Sequence, residues 1–228
     1  MNKAATKPAE GVGHNPGTAV ASVPHFEYQP RTRVVFGANS VERVGELARE
    51  LGARCVLVVT DPGIVTAGHA DRVEHILQSC GLGVLVFDEV RENPTTRDVD
   101  KCLAVAKSAG IDTIIGLGGG SSMDTAKGTN FLLTNGGRMQ DYWGVGKATR
   151  PMLPLIAIPT TAGTGSECQS AALIADEHTH QKMACLDPKA AARIAILDPV
   201  LTVSVCGSIR AVRCVLPILL RTNRSIPA

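Results

Sequence analysis

Asp112-Thr-Ile-Ile-Gly116, continued without a break by Leu117-Gly-Gly-Gly-Ser-Ser-Met-Asp-Thr-Ala-Lys127, decides the fold class. The short apolar run closed by glycine reads as a strand covered on both faces. Gly118, Gly119 and Gly120 let a backbone approach a ligand without Cβ interference and take positive φ. A helix then starts near Ser121, with Ser121 as its cap and Asp124, three residues on, completing an S-x-x-D capping box. That arrangement aims free N–H groups and a positive dipole end at whatever lies over the glycines, and it suits a pyrophosphate. A plain tight turn is the simpler alternative.

The same strand–helix alternation extends in both directions. Arg33-Val-Val-Phe36 reads as a first strand. Ser40 caps a helix whose apolar positions Val41, Val44, Leu47, Ala48 and Leu51 recur at the helical period, and Gly52 ends it. Cys55–Val59 is a continuous apolar strand. A helix over 69–80 follows, then the strand Gly83–Phe87, a helix over 96–109 and, beyond the glycine turn, the strand Leu153–Ile158. Repeated β-α units with short connections predict an α/β protein with a doubly wound, Rossmann-like parallel sheet.

Such sheets bind ligands outside the carboxyl ends of their strands. Two further loops occupy those ends. Thr60-Asp61-Pro62-Gly63 places a carboxylate where ribose hydroxyls can donate to it and a 2′-phosphate is repelled; an ordinary Asp-Pro-Gly turn is the alternative. Pro159-Thr-Thr-Ala-Gly-Thr-Gly-Ser-Glu167 crowds the hydroxyls of Thr160, Thr161, Thr164 and Ser166 among two glycines. It suits the nicotinamide half of a dinucleotide or a phosphate, against the alternative of a solvated loop.

Composition narrows the classes. Apolar residues make up 44% and charged residues 19% of 228, a globular balance. Aromatic residues are too scarce at 3% for a base-stacking nucleic-acid platform, and no apolar run reaches the ~18 residues of a membrane span. The net charge of +2 belongs to the end of the chain, since 205–228 hold Arg210, Arg213, Arg221 and Arg224 and no acid. Seven dispersed cysteines without a C-x-x-C pair fit a reducing compartment, and no secretory core is present near the N-terminus, so a cytoplasmic protein is expected. Residues 1–26, with His14 and His25, read as a flexible leader, with order starting at Tyr28. Residues 27–204 read as the α/β domain and 205–228 as an aberrant tail.

At Gly118–Lys127 and Pro159–Glu167 the chain resembles the iron-containing (group III) alcohol dehydrogenases, which share their architecture with glycerol dehydrogenase and dehydroquinate synthase. Asn93-Pro-Thr95, Asp141-Tyr-Trp143 and Leu197-Asp-Pro-Val-Leu-Thr202 resemble further landmarks of that family in the same order. The resemblance covers about residues 28–204. It implies a dehydroquinate synthase-like N-terminal domain that binds NAD rather than NADP, with Asp61 at the adenosine ribose. It places Asn93, Gly119, Gly120, Ser121 and Ser122 around the pyrophosphate. Thr160, Thr161, Thr164 and Ser166 then form the second cofactor loop, and Lys182 lies near the cofactor ribose. Family members exchange a hydride between a small alcohol or aldehyde and nicotinamide, with iron or another divalent metal polarising the alcohol oxygen.

The chain departs from the family after Leu197-Asp-Pro. There the resemblance leads one to expect a helical domain with four metal ligands, two of them in a D-A-x-x-H segment. No histidine follows His180, and no D-x-x-x-H follows Pro199. Asp176-Glu-His-Thr-His180 reads as a hairpin turn, and His69 and His75 as ordinary helix residues, so no metal ligands and no catalytic residue are assigned. The tail suits neither helix nor strand, because Pro217 interrupts its apolar run Val215–Leu220. The expectation is a chain truncated or shifted in reading frame near residue 205, inactive by itself and left with exposed apolar surface and a tendency to associate. A homo-oligomer is compatible with the sequence, which does not fix the oligomeric state, and no nucleic-acid or membrane partner is expected. A non-catalytic dinucleotide-binding module acting through a partner is the alternative function, and a metal-independent enzyme using Lys127 or Lys182 a third.

Overall fold

The computed structural model describes residues 30–203. Residues 1–26 and 205–228, assigned above to a leader and a tail, lie outside the described residues, as does Tyr28. In chain order the elements are β1 (Arg33–Phe36), a 3-10 turn (Ser40–Arg43) leading into α1 (Val44–Glu50), β2 (Cys55–Val59), α2 (Pro62–Thr66), α3 (His69–Ser79), β3 (Gly83–Phe87), α4 (Thr96–Lys107), β4 (Thr113–Gly118) and α5 (Gly120–Asn135). They continue with β5 (Gly144–Val145), β6 (Leu155–Pro159), β7 (Ala171–Ala175), β8 (Lys182–Leu186), β9 (Ile194–Leu197) and α6 (Pro199–Val203).

Six strands form one parallel sheet in the order β1-β9-β6-β4-β2-β3. Side chains alternate along each strand, so each strand feeds two cores. Val56, Val58, Ile115 and Leu117 pack with α1 and α3 on one face. Leu57, Val59 and Ile114 pack with α4 and α5 on the other. Burying each such side chain is worth about 1.5–3 kcal/mol. With both faces covered, the strands carry continuous apolar runs, and the doubly wound parallel α/β fold expected from them is the one observed.

A second, three-stranded sheet in the order β5-β8-β7 was not anticipated. Its β7–β8 pair is antiparallel. The turn at 176–181 is held by Asp176 Oδ1, which accepts the N–H groups of His178 and Thr179 at 2.9 Å. This agrees with the hairpin read at Asp176–His180. Helix α5 lies between the two sheets, and every residue from Ser122 to Leu132 is buried. Gly128 permits that depth, because a Cβ there would stand 3.0 Å from Val99 and 3.6 Å from Ile174.

Other expectations need correction. Ser40 does not cap a helix: it begins the 3-10 turn, Asn39 precedes it in left-handed conformation, and its buried Oγ has no partner. The cap comes instead from Asp198, whose carboxylate accepts the N–H groups of Asn39 and Val41 from the far end of the chain. The Asp61-Pro-Gly turn is the start of α2, with Asp61 as N-cap and Pro62 at the first helical position. Strand β4 runs to Gly118 rather than Gly116, because Leu117 and Gly118 pair with Ile158 and Pro159 of β6.

Large apolar side chains exposed among the described residues fall on β1 and α6 (Phe36 51%, Val203 69%) and on the second sheet (Trp143 44%, Val145 76%). No described helix is long and apolar enough to cross a membrane.

Candidate functional site

Strand β2 continues to β3 on one side and has β4 on the other, so the chain reverses its direction of progress across the sheet between β2 and β4. The crevice outside that switch point is where ligands sit in such sheets. The loops carrying Asp61 and Gly118 meet there. Asp61 Oδ1 accepts the N–H groups of Gly63 and Ile64 at 3.0 and 3.2 Å, and Ser122 Oγ donates to Oδ2 at 3.3 Å. One carboxylate thus caps α2 and ties it to the first turn of α5.

Helix α5 starts at Gly120 with Gly119 at the N-cap, and no side chain bonds to its end. The capping box expected from Ser121 and Asp124 is absent. Ser121 instead lies inside the first turn, where its Oγ accepts the Asn93 N–H at 3.3 Å, and Asn93 has a φ of 54°. Asp124 points to the second sheet. The physical result favours anion binding: a self-capped end would compete with a ligand oxygen, whereas this one keeps its donors free.

The second loop folds over the first. Thr160 N–H donates to the Gly118 carbonyl at 2.9 Å, joining the ends of β4 and β6. A Cβ on Gly119 would stand 3.4 Å from Thr161 Oγ1, and one on Gly120 would stand 3.3 Å from Ser166 Oγ and 3.5 Å from Thr164 Cγ2. Any residue larger than glycine at 119 or 120 would therefore fill the space between the loops. Thr160 is buried with no hydrogen-bond partner for its Oγ1, and Glu167 Oε2 is in the same position. Both atoms lie where the second loop meets the end of β6, with hydrogen-bonding capacity left over.

The structure thus brings Asp61, Asn93, Gly119, Gly120, Ser121, Ser122, Thr160, Thr161, Thr164 and Ser166 around one crevice. Lys182 is exposed at the start of β8 and acts on Asp124 by its charge. Among the described residues no group of three or more His, Cys, Asp or Glu side chains is arranged to hold a metal ion.

Sequence reasoning weighed Lys127 only as a catalyst and missed its packing. It is fully buried, and its Nζ donates to the carbonyls of Ser166, Gln169 and Ala171 at 2.6, 2.7 and 3.1 Å. The available signal was an Asp124–Lys127 pair at i, i+3 on a helix with no polar face. Burial pushes the Lys127 ammonium down to about 8, opposed by the charges of Asp124 and Glu167. Burial likewise pushes Asp124 up to about 6, opposed by the Lys127 charge, the Leu173 N–H and the Lys182 charge.

The Asp124 shift has a definite sign. The folded chain holds that proton more tightly than the unfolded chain, so the stabilisation is complete below the ordinary aspartate value of 3.8 and is lost as pH rises through about 6. Asp124→Asn keeps an acceptor for Leu173 and removes the titration. Urea denaturation between pH 4 and 7 is expected to show wild-type stability with a downward contribution on the order of 2 kcal/mol that is missing from the variant. Parallel pH profiles for the two proteins would contradict the assignment.

A doubly wound parallel sheet with its glycine turn at the switch point defines a Rossmann-like α/β protein. The sequence profile of the iron-containing alcohol dehydrogenases matches residues 30–199. Alcohol dehydrogenase 4 of Schizosaccharomyces pombe is 40% identical over 165 residues, which are 72% of this chain and 39% of that protein. The NAD-dependent methanol dehydrogenase of Bacillus methanolicus is 38% identical over 169 residues, 74% of this chain and 44% of that one. Among solved structures, a 1,3-propanediol oxidoreductase superposes with a TM-score of 0.75 at 33% identity, covering 79% of this chain and 47% of the other. The chain belongs to the iron-containing alcohol dehydrogenase family, and it spans less than half the length of these relatives.

Proposed function

We propose that this chain is the dinucleotide-binding part of an NAD-dependent alcohol dehydrogenase of the iron-containing type. The observation that carries the reading is the stacking of the Thr160–Ser166 loop over an uncapped helix end at Gly119–Gly120. In this reading the pyrophosphate accepts the free N–H groups of the first turn of α5, with Asn93, Ser121 and Ser122 beside it. Asp61 accepts from the adenosine ribose hydroxyls. Thr160, Thr161, Thr164 and Ser166 orient the nicotinamide half, and Lys182 approaches its ribose. Bound nicotinamide supplies hydride transfer to or from a small alcohol or aldehyde. The chain's own contribution is to hold and orient that cofactor and to exclude water beneath the second loop. The metal ligands of such an enzyme are not supplied by the described residues, and the chain alone is expected to bind without turning over. The relative named as NAD-dependent supports the cofactor, and the dispersed free cysteines support a cytoplasmic setting.

Fluorescence titration of the 228-residue chain with NADH and NADPH tests this. A 2′-phosphate facing Asp61 sets like charges together at a cost of several kcal/mol, so NADH should bind at least about tenfold more tightly. Asp61→Ser retains a cap for α2 and should narrow that preference to within about threefold. Folded protein without saturable NADH binding would end the proposal. NADH binding without alcohol oxidation, whatever divalent metal is added, is the expected pattern, and turnover would overturn the inactivity.

A further inference from the structure

Lys127 has three N–H donors and no acceptor. All three donors are used, on three backbone carbonyls of one short segment: Ser166, Gln169 and Ala171. One turn earlier, Asp124 takes the N–H of Leu173. Two side chains on one helix thus secure four backbone groups between Ser166 and Leu173. An apolar side chain of equal length would fill the same space and leave those carbonyls buried without donors, a costly outcome for backbone. The charge has counter-charges at hand, since Asp124 and Glu167 both act on it.

The location gives this packing a consequence for the site. Helix α5 begins at the glycine turn and reaches Lys127 two turns later, about 10 Å along its axis. From Ser122 to Leu132 the helix is buried on all sides, between the two sheets. It therefore carries at its start the free N–H groups of the first loop and, two turns on, the anchor of the second. Ser166, whose carbonyl is held at 2.6 Å by Lys127, is also the residue whose Oγ lies over Gly120. The spacing between the loops is set by a length of helix and an ammonium group.

We propose that Lys127 is a positioning residue for the bound dinucleotide: by anchoring Ser166, Gln169 and Ala171 to α5 it fixes the second loop at the height the nicotinamide half requires. The proposal rests on the dinucleotide reading above and adds a residue that touches no part of the ligand. It predicts a division between ligands. AMP engages Asp61 and the glycine turn and does not need the second loop, whereas NADH spans both loops.

The test uses the full chain with Lys127→Met and Lys127→Arg. Methionine removes all three donors at nearly constant length. Arginine retains the charge but cannot bring a single nitrogen onto three carbonyls, and it gives a folded comparison should the methionine variant fail to fold. Hydrogen exchange followed by peptide is expected to be at least about tenfold faster over 160–171 and unchanged over 113–118. NADH affinity should fall by about tenfold or more while AMP affinity stays within about twofold. Unchanged exchange over 160–171 in a folded variant, or equal losses for NADH and AMP, would overturn the proposal. If wild-type binds neither nucleotide and exchange still accelerates over 160–171, the anchoring stands, and the dinucleotide reading and the role in positioning it fall.

Discussion

Gly118→Ala is expected to lose about 3 kcal/mol of stability and to weaken NADH binding by about 100-fold. Two costs combine. Gly118 has a φ of 139°, where an L side chain is strained by about 1–2 kcal/mol. The added methyl group would also stand 2.5 Å from Ser122 Oγ and 2.9 Å from Asp61 Oδ2, both well inside contact distance. Neither neighbour yields easily. Ser122 is fully buried in the first turn of α5, and Asp61 is held by two N–H groups of α2. The clash would therefore push α2 away from α5 and open the crevice between β2 and β4. Gly52→Ala separates the two costs, since Gly52 has a φ of 83° with open space around it. Urea denaturation should show Gly52→Ala losing only the strain, about 1 kcal/mol. Equal losses at the two positions would remove the steric argument.

Asp198→Ala should cost a further domain-wide loss of about 3 kcal/mol. The carboxylate is 1% exposed and accepts three backbone N–H groups: Asn39 and Val200 at 3.0 Å on Oδ1, and Val41 at 3.2 Å on Oδ2. Alanine leaves the buried Val41 N–H and the half-buried N–H groups of Asn39 and Val200 without an acceptor, which costs more than the net worth of the bonds. Asp198→Asn distinguishes hydrogen bonding from packing. Its one oxygen can serve Asn39 and Val200, while its amide then faces the Val41 N–H, donor against donor. An intermediate loss of about 1–2 kcal/mol is expected in equilibrium unfolding. If the two variants unfold together at the wild-type midpoint, the carboxylate is not what secures this corner.

The six-stranded sheet was readable because each interior strand is covered twice, which forces runs such as Cys55–Val59 that stand out against polar flanks. The second sheet lacks that property. Ala171–Ala175 and Lys182–Leu186 are each covered on one face only, yet neither shows the apolar–polar alternation that would announce such a strand. Strand β9 escaped for another reason. Its four residues form a strand only by pairing with β1 and β6, information held far away in the chain. At the site, residue types were legible and contacts were not. Four hydroxyls between glycines announced a polar loop, but its place over Gly119–Gly120 depends on the register of β4 against β6. Ser121 shows the reverse error. A local capping pattern was present, and burial of Asp124 against the second sheet overrode it.

The position of β9 has a consequence for how the chain is made. It separates β1 from β6, although among the described residues β1 is the first strand synthesised and β9 the last; the Thr32–Ala192 hydrogen bond beside them spans 160 residues. At ribosomal rates of about 5–20 residues per second, Arg33–Phe36 emerges roughly 8–30 s before the strand that receives it. β6 ends about 35 residues before β9 begins, so for the last roughly 2–7 s of that interval its outer edge has no partner either. Two unpaired β edges therefore coexist on every nascent chain, and such edges invite pairing with other chains. The speed of translation between codons 36 and 194 thus sets how long each molecule is vulnerable before its sheet can close.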